Sequence, residues 1–263
     1  MLNHEGELKL KTVKQIYDFL NLIAPFDSAM EFDNCGILVG DPHFKVNRVL
    51  LSLDITSEVC DEAKKLGSEL IISHHPVIFK PLKNIMFNTT VHKLIKYNLS
   101  AICAHTNLDM AENGVNFHLA KTLELKNLKP LSYFRTYPLG FIGDLKLEMT
   151  SKEFAFFVKN RLGCDGIRYT EGTKKITKVA VCSGSGGDLV NDAINGNADA
   201  FVTGEIKHSQ ILEANKFDIT VVDAGHFKTE NLILYPLSTT LKEKFTDVEF
   251  HVSDVFTDKV KYL

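Results

Sequence analysis

The stretch that decides the fold is Glu69 to Phe79, ELIISHHPVIF. Its first half is an apolar run of the length of a buried strand, and its second half opens on two histidines and a proline. Proline has no N–H to give to a ladder, so the strand is expected to end just before Pro76. On a regular strand His74 and His75 would point to opposite faces. With the ladder ended, both rings can splay into the space above the sheet edge, each reaching a different point.

Upstream of this strand, NRVLLSLD reads as a second strand, and Ser57 to Leu66 has helical spacing, with Ser57 as cap, Glu58 and Asp61 in the first turn and Gly67 as the stop. The whole block from Val46 aligns without a gap on the block from Ile176, ITKVAVCSGSGGDLVNDAINGNADAFVTGEIKHS, at a constant offset of 130 positions that sets Val49 over Val179, Ala63 over Ala193 and Ile72 over Val202. A third apolar run follows in each block, Ser100 to His105 and Asp218 to Asp223. Strands alternating with helices predict α/β layers, here in two similar halves.

Around these blocks, Lys11 to Ala24 is expected to be a helix capped by Thr12 and stopped by Pro25, and GILVG a strand. A connector, roughly Asn127 to Lys175, holds a strand in GFIGDLKLEMT and a helix, SKEFAFFVKNRLG, opened by Thr150, Ser151 and Glu153. The phenylalanines of that helix, with Leu162, form an apolar stripe suited to a core. Asn231 to Phe245 suggests a closing helix that Pro236 kinks or delays, and VEFHVSD a last strand.

Open α/β sheets place ligands beyond the carboxyl ends of their strands. At those exits stand His74 and His75; His105, Thr106, Asn107 and Asp109; Glu205 and His208; and His226 and Glu230. His4, His43, His92, His118 and His251 stand elsewhere and read as ordinary surface or packing residues. His74, His75, Asp109, His226 and Glu230 together offer more ligands than one catalytic zinc takes, and two are carboxylates able to bridge. The set therefore predicts two divalent ions, zinc, manganese, iron or nickel, spaced as in two-metal hydrolases. Asp33 and Asn34 are candidates for the wall of the same cleft. The loop SGSGGD, with Gly184, Gly186 and Gly187 between a strand and a helix, suits either a phosphate or a tight turn, and it lacks the lysine of a P-loop.

The composition bounds these readings. With 263 residues, 44% hydrophobic and 24% charged, the chain can bury one large core or two modest ones. A formal net charge of -3 with no basic stripe makes nucleic acid an unlikely partner. No apolar stretch is long enough for a bilayer and the first residues lack a signal-like core, which predicts a cytoplasmic protein without membrane association. Five scattered cysteines with no C-x-x-C pattern suggest neither a disulfide framework nor a thiolate metal site.

SHHPVIF, AHTNLDMAENGVN, DAGHFKTE and the earlier DNCGILVG together resemble the signatures of the Nif-three-like (YbgI-type) dinuclear-metal-centre proteins, many labelled GTP cyclohydrolase 1 type 2 homologues. The resemblance covers essentially the whole chain. It implies two intertwined, internally duplicated α/β halves with mixed sheets and the metal site between them, expected as residues 1–126 plus 226–263 and residues 127–225. It also implies a homohexameric ring with metal sites facing an inner cavity, and ligation by the same five residues that the strand exits select. Many relatives carry a domain inserted between the halves, for which the short connector here has no room.

The chemistry implied is hydrolysis. In a cyclohydrolase reading, metal-activated water attacks C8 of a purine nucleotide and opens its imidazole ring, with His105 or Glu205 shuttling protons and His208 a weaker candidate that instead caps the next helix. The alternatives are a metal-dependent phosphoesterase, a metal-storage or delivery protein, and a regulatory scaffold ring.

Overall fold

The structure is a computed structural model that describes residues 11–263; His4 lies outside them. The chain forms two compact units, each discontinuous in sequence: one runs to Leu108 and takes back Leu234–Thr257, and the other comprises Asp109–Ile233 with Asp258–Leu263.

The first unit is built on a five-stranded sheet in the order Glu249–Val252, Arg48–Ser52, Leu70–Ser73, Ser100–Cys103, Gly36–Val39. The first four strands are parallel and Gly36–Val39 runs antiparallel to its neighbour. Helices Ser57–Leu66 and Thr90–Lys96 lay Val59, Cys60, Ala63 and Leu94 on Leu50, Ile71 and Ala101. The N-cap of the first of these is Thr56, one residue before the expected Ser57: the Thr56 side chain accepts from the Val59 N–H, and Ser57 is the first helical residue. Helix Val13–Ile23 carries the expected Thr12 cap, closed reciprocally by Gln15. The closing helix, Leu234–Lys244, starts after a 3-10 turn and takes Pro236 within its first turn, where no helical N–H is lost.

The second unit has a six-stranded sheet in the order Lys126–Phe134, Tyr137–Met149, Ile176–Cys182, Ala200–Thr203, Thr220–Asp223, Arg168–Tyr169. Its three inner strands from Ile176 are parallel, and the flanking strands are antiparallel to them. The connector is thus part of this sheet, through two long strands. Helix Ser151–Leu162, with the Thr150–Glu153 capping box, turns Phe154 and Val158 into the core, with Phe157 and Leu162 packed beside them. Phe156 does not join the expected stripe: it lies on the other side of the helix and is 56% exposed.

The unit boundaries differ from those expected. Residues Asp109 to Lys126 fall in the second unit because helix Val115–Thr122 sets Leu119 and Ala120 against Val179, Val181 and Val202. The turn of helix at His226–Glu230 stays in that unit as well, continuing directly from strand Thr220–Asp223.

The two parallel cores have the same register. Val49 pairs with Leu70 as Val179 pairs with Ala200, and Ser52 with Ser73 as Cys182 with Thr203, so the offset of 130 positions holds for both strands. The carboxylate entering the second strand repeats too. Glu69 accepts from the backbone N–H of Asn47 and Arg48 (3.0 and 2.9 Å), and Asp199 from that of Thr177 and Lys178 (2.9 and 2.8 Å). Strands buried on both faces explain why these runs are apolar without alternation: Val179 and Val181 pack on one side, Ala180 and Cys182 on the other. Glu69→Ala and Asp199→Ala should each lower the stability of the full chain by about 2 kcal/mol, since each strips a charged acceptor from two strand N–H groups; urea unfolding measures it, and an effect at only one position would argue against equivalent roles.

Candidate metal-binding site

In the first unit the strand assigned to Leu70–Ser73 ends where the sequence requires, while hydrogen bonding reaches slightly further: His74 and His75 donate their N–H to the carbonyls of Ser52 and Leu53 (3.3 and 2.8 Å). The Ser73 hydroxyl donates to the His75 carbonyl (2.7 Å) and folds the exit back. Both imidazoles then share one location with His105, which leaves the neighbouring strand Ser100–Cys103. Ring centroids are 5.1 Å apart for His74 and His75, 5.1 Å for His74 and His105, and 5.4 Å for His75 and His105. One ring nitrogen from each lies within 4.8 Å of the others.

Each of these rings is held from behind through Nδ1. His74, 1% exposed, has Nδ1 2.9 Å from the Ala104 carbonyl. His75 Nδ1 lies 3.0 Å from Asp54 Oδ2, and His105 Nδ1 2.9 Å from Asp33 Oδ1. A carbonyl and two carboxylates accept and do not donate, so Nδ1 is the donor of each ring, and in the neutral imidazole the lone pair is then on Nε2. This is the arrangement by which proteins orient metal-ligating histidines. Burial alone would raise the Asp33 carboxyl, but bonds from His105 and then Thr106 outweigh it and hold the group far below the usual carboxylate range.

The second unit gathers His226, Glu230 and Glu205. His226 and Glu230 sit at either end of one helical turn, with His226 Nε2 2.9 Å from Glu230 Oε2. On its other side His226 Nδ1 is 2.9 Å from Glu205 Oε1, whose second oxygen accepts from the Ser185 hydroxyl (2.6 Å). The Ser185 bond lowers the Glu205 carboxyl against the cost of its burial, and the His226 bond lowers it further. Asp109 ends the short helix Thr106–Asp109, and its carbonyl accepts from the Asn116 side chain (3.0 Å), which also accepts from the Ser183 N–H (2.8 Å).

Glu205, expected to shuttle protons, therefore sits behind His226 as its Nδ1 partner. His208 is exposed at the first position of helix His208–Lys216 and belongs to neither cluster; the N-cap there is Lys207. Asn34 donates to the Ile78 carbonyl (2.6 Å), fastening its turn to the segment that follows His75. The glycines of SGSGGD serve close packing: at Gly184, φ +56°, a Cβ would collide with the Glu230 carboxylate, and at Gly187 with Gln210 and the Glu205 carbonyl. Asp54 and Asn116 were not singled out by sequence. Asp54 closes the run NRVLLSLD, whose last residue reads as the end of a strand, and Asn116 lies inside the AHTNLDMAENGVN signature. All five cysteines are free thiols, and burial pushes Cys60 up to about 12 and Cys164 to about 11, which suits core packing and not thiolate ligation.

The class of protein is thereby set: an α/β protein that collects imidazoles and carboxylates, backed by oxygen acceptors, at the ends of parallel strands. Comparison with known proteins gives the family. Residues 11–259 match the model of Duf34/NIF3 (NGG1p interacting factor 3), and the chain belongs to that family. It is 32% identical over 263 aligned residues, 95% of this chain and all of the relative, to a "GTP cyclohydrolase 1 type 2 homolog" of Clostridium perfringens. A Campylobacter jejuni protein of the same name is 34% identical over 88% of this chain and 92% of its own. Among solved structures, a Bacillus cereus protein related to NIF3 superposes with a TM-score of 0.91 at 26% identity, over 97% of this chain and all of the other. A hypothetical protein of Staphylococcus aureus does so with 0.90 at 30% identity, over 96% and 99%. One Staphylococcus aureus relative aligns over 366 positions against the 263 residues here, in keeping with inserted sequence that this chain lacks.

Gly184→Ala should displace Glu230 and cost about 1–2 kcal/mol for the left-handed backbone alone. Chemical denaturation measures the loss: a loss no larger than that backbone cost would show that Glu230 has room to move, and an unchanged midpoint would refute the strain at this position.

Proposed function

We propose that His74, His75, Asp109, His226 and Glu230 hold two divalent metal ions and that the protein is a metal-dependent hydrolase acting on a purine nucleotide. The observation that carries this reading is the tying of Nδ1 of His74, His75 and His226 to a carbonyl or carboxylate oxygen, which turns Nε2 forward as the ligand atom. The donor chemistry fits the group: imidazole with carboxylate and no thiolate suits zinc, manganese, iron or nickel. His226, with a carboxylate oxygen on each nitrogen, suits a cation in place of the proton at Nε2.

Two bound ions would supply an activated water and a Lewis acid for the substrate oxygen. The chain's own residues supply the rest. Asp54 and Glu205 fix the directions of His75 and His226, Gly184 leaves room for the Glu230 carboxylate, and Asn116 anchors Asp109 through its backbone. The purine nucleotide comes from the name that the Clostridium and Campylobacter relatives bear. With it go a hexameric ring and a cytoplasmic location; among the described residues no helix is long and apolar enough to cross a membrane.

Elemental analysis of protein purified without chelators should find transition metal, and His75→Ala and His226→Ala should each lose it while staying folded. Removing the supporting carboxylate, in Asp54→Ala or Glu205→Ala, should weaken metal binding roughly 10–100-fold. The metal-loaded wild type should hydrolyse GTP or a related nucleotide, and His75→Ala should fall to background. Absence of metal under every loading condition would refute the centre, and loaded protein without turnover on a broad nucleotide and phosphoester panel would refute the hydrolase.

A further inference from the structure

Asp33 is the most heavily engaged carboxylate of the first unit. Its side chain is fully buried and stands in the turn before strand Gly36–Val39. Oδ1 accepts from His105 Nδ1 (2.9 Å) and from the Asn34 N–H (2.7 Å). Oδ2 accepts from the Thr106 N–H (3.1 Å), the Thr106 hydroxyl (2.6 Å) and the Cys35 thiol (3.2 Å). The turn is fastened from both sides, since the Met30 N–H donates to the Thr106 hydroxyl oxygen (3.0 Å) and Asn34 to the Ile78 carbonyl (2.6 Å).

We infer that Asp33 is a positioning residue: it holds His105 in the Nδ1–H tautomer and so presents the Nε2 lone pair to the space that His105 shares with His74 and His75. Every atom facing Asp33 is a donor, and a carboxylate is the only side chain of this size that accepts on both branches. His105 is the one partner able to choose which nitrogen carries its proton, so the carboxylate makes that choice. The lone pair then serves as acceptor for a water, hydroxyl or amine held beside His74 and His75. That last step rests on the reading of the site as a metal centre, whereas the tautomer does not.

An asparagine at position 33 would reverse the choice. Its one oxygen would go to the Oδ2 side, where the Thr106 N–H and hydroxyl and the Cys35 thiol all donate, against the Asn34 N–H alone on the other branch, and its NH2 would go to His105, which can accept only by moving its proton to Nε2. The experiment is NMR of the full chain with 15N-labelled histidine, freed of metal, at about pH 8 so that neutral imidazole prevails, with His105 assigned by the signals lost in His105→Gln. The wild type should carry its proton on Nδ1. Asp33→Asn should exchange the protonated and unprotonated nitrogen signals, and Thr106→Val should leave them in place while lowering the melting temperature. A wild-type proton on Nε2, or an Asp33→Asn spectrum with Nδ1 still protonated, overturns the inference; the wild-type spectrum decides even if a variant does not fold. Parallel metal titration of the wild type separates the two readings, because Nδ1–H with no metal bound would sink the proposed centre and leave the role of Asp33 standing.

Discussion

Parallel strands point one way, so whatever follows their last residues collects at one edge of the sheet, and in each unit the chemistry depends on that constraint. In the first unit, the pairing of Ser52 with Ser73 and of Ser73 with Cys103 brings three strands to their ends in step. Asp54, His74, His75 and His105 lie within two residues of those ends. The second unit stops Cys182, Thr203 and Asp223 level in the same way, and Gly184, Glu205 and His226 follow within three. An antiparallel arrangement would have sent alternate exits to opposite edges, and the clusters would not exist.

Alignment of the exits brings side chains near one another but does not aim them. Aiming comes from groups set behind the rings: the Ala104 carbonyl, Asp54, Asp33 and Glu205, each on the Nδ1 of one histidine. Freezing a ring in one orientation and one tautomer is worth more at such a site than raw proximity, because a misdirected imidazole offers an N–H where a lone pair is needed. The backing groups are themselves held. The hydroxyls of Ser185 and Thr106 reach Glu205 and Asp33, so the order of the site extends one bond behind the groups that back its rings.

The fold was largely legible in the sequence because its cause is local. Short apolar runs, Gly67, the Thr12 and Thr150 caps and Pro76 mark strands, helices and stops without help from tertiary context, and the duplicated spacing carries register. The histidines and carboxylates that gather at the exits were legible for the same reason. What escaped was set by packing. Asp109 to Lys126 joins the second unit because Leu119 and Ala120 find their apolar partners there, and no signal in that segment names the partner. Glu205 reads as a free titratable group until the loop at Ser185 shows that both of its oxygens are engaged. Asp54 looked like the end of a strand and turned out to be the support of His75.

The duplication also explains why the two clusters differ in chemistry. At the offset of 130 positions, His74 and His75 correspond to Gly204 and Glu205. Gly204 has no room for a side chain, since a Cβ would press on the Thr229 hydroxyl, the Gly184 carbonyl and the His226 backbone. That crowding follows from bringing helix His226–Glu230 down onto the strand exits, which places the Glu230 carboxylate over Gly184. In the first unit the corresponding turn of helix, Thr106–Asp109 after strand Ser100–Cys103, leaves bulky rings at both positions. One copy is therefore rich in nitrogen donors and the other in oxygen donors, and at position 204 the difference has a steric cause. Restoring a histidine at 204 would not recreate the first cluster, because the helix that delivers His226 and Glu230 occupies the volume the ring would need.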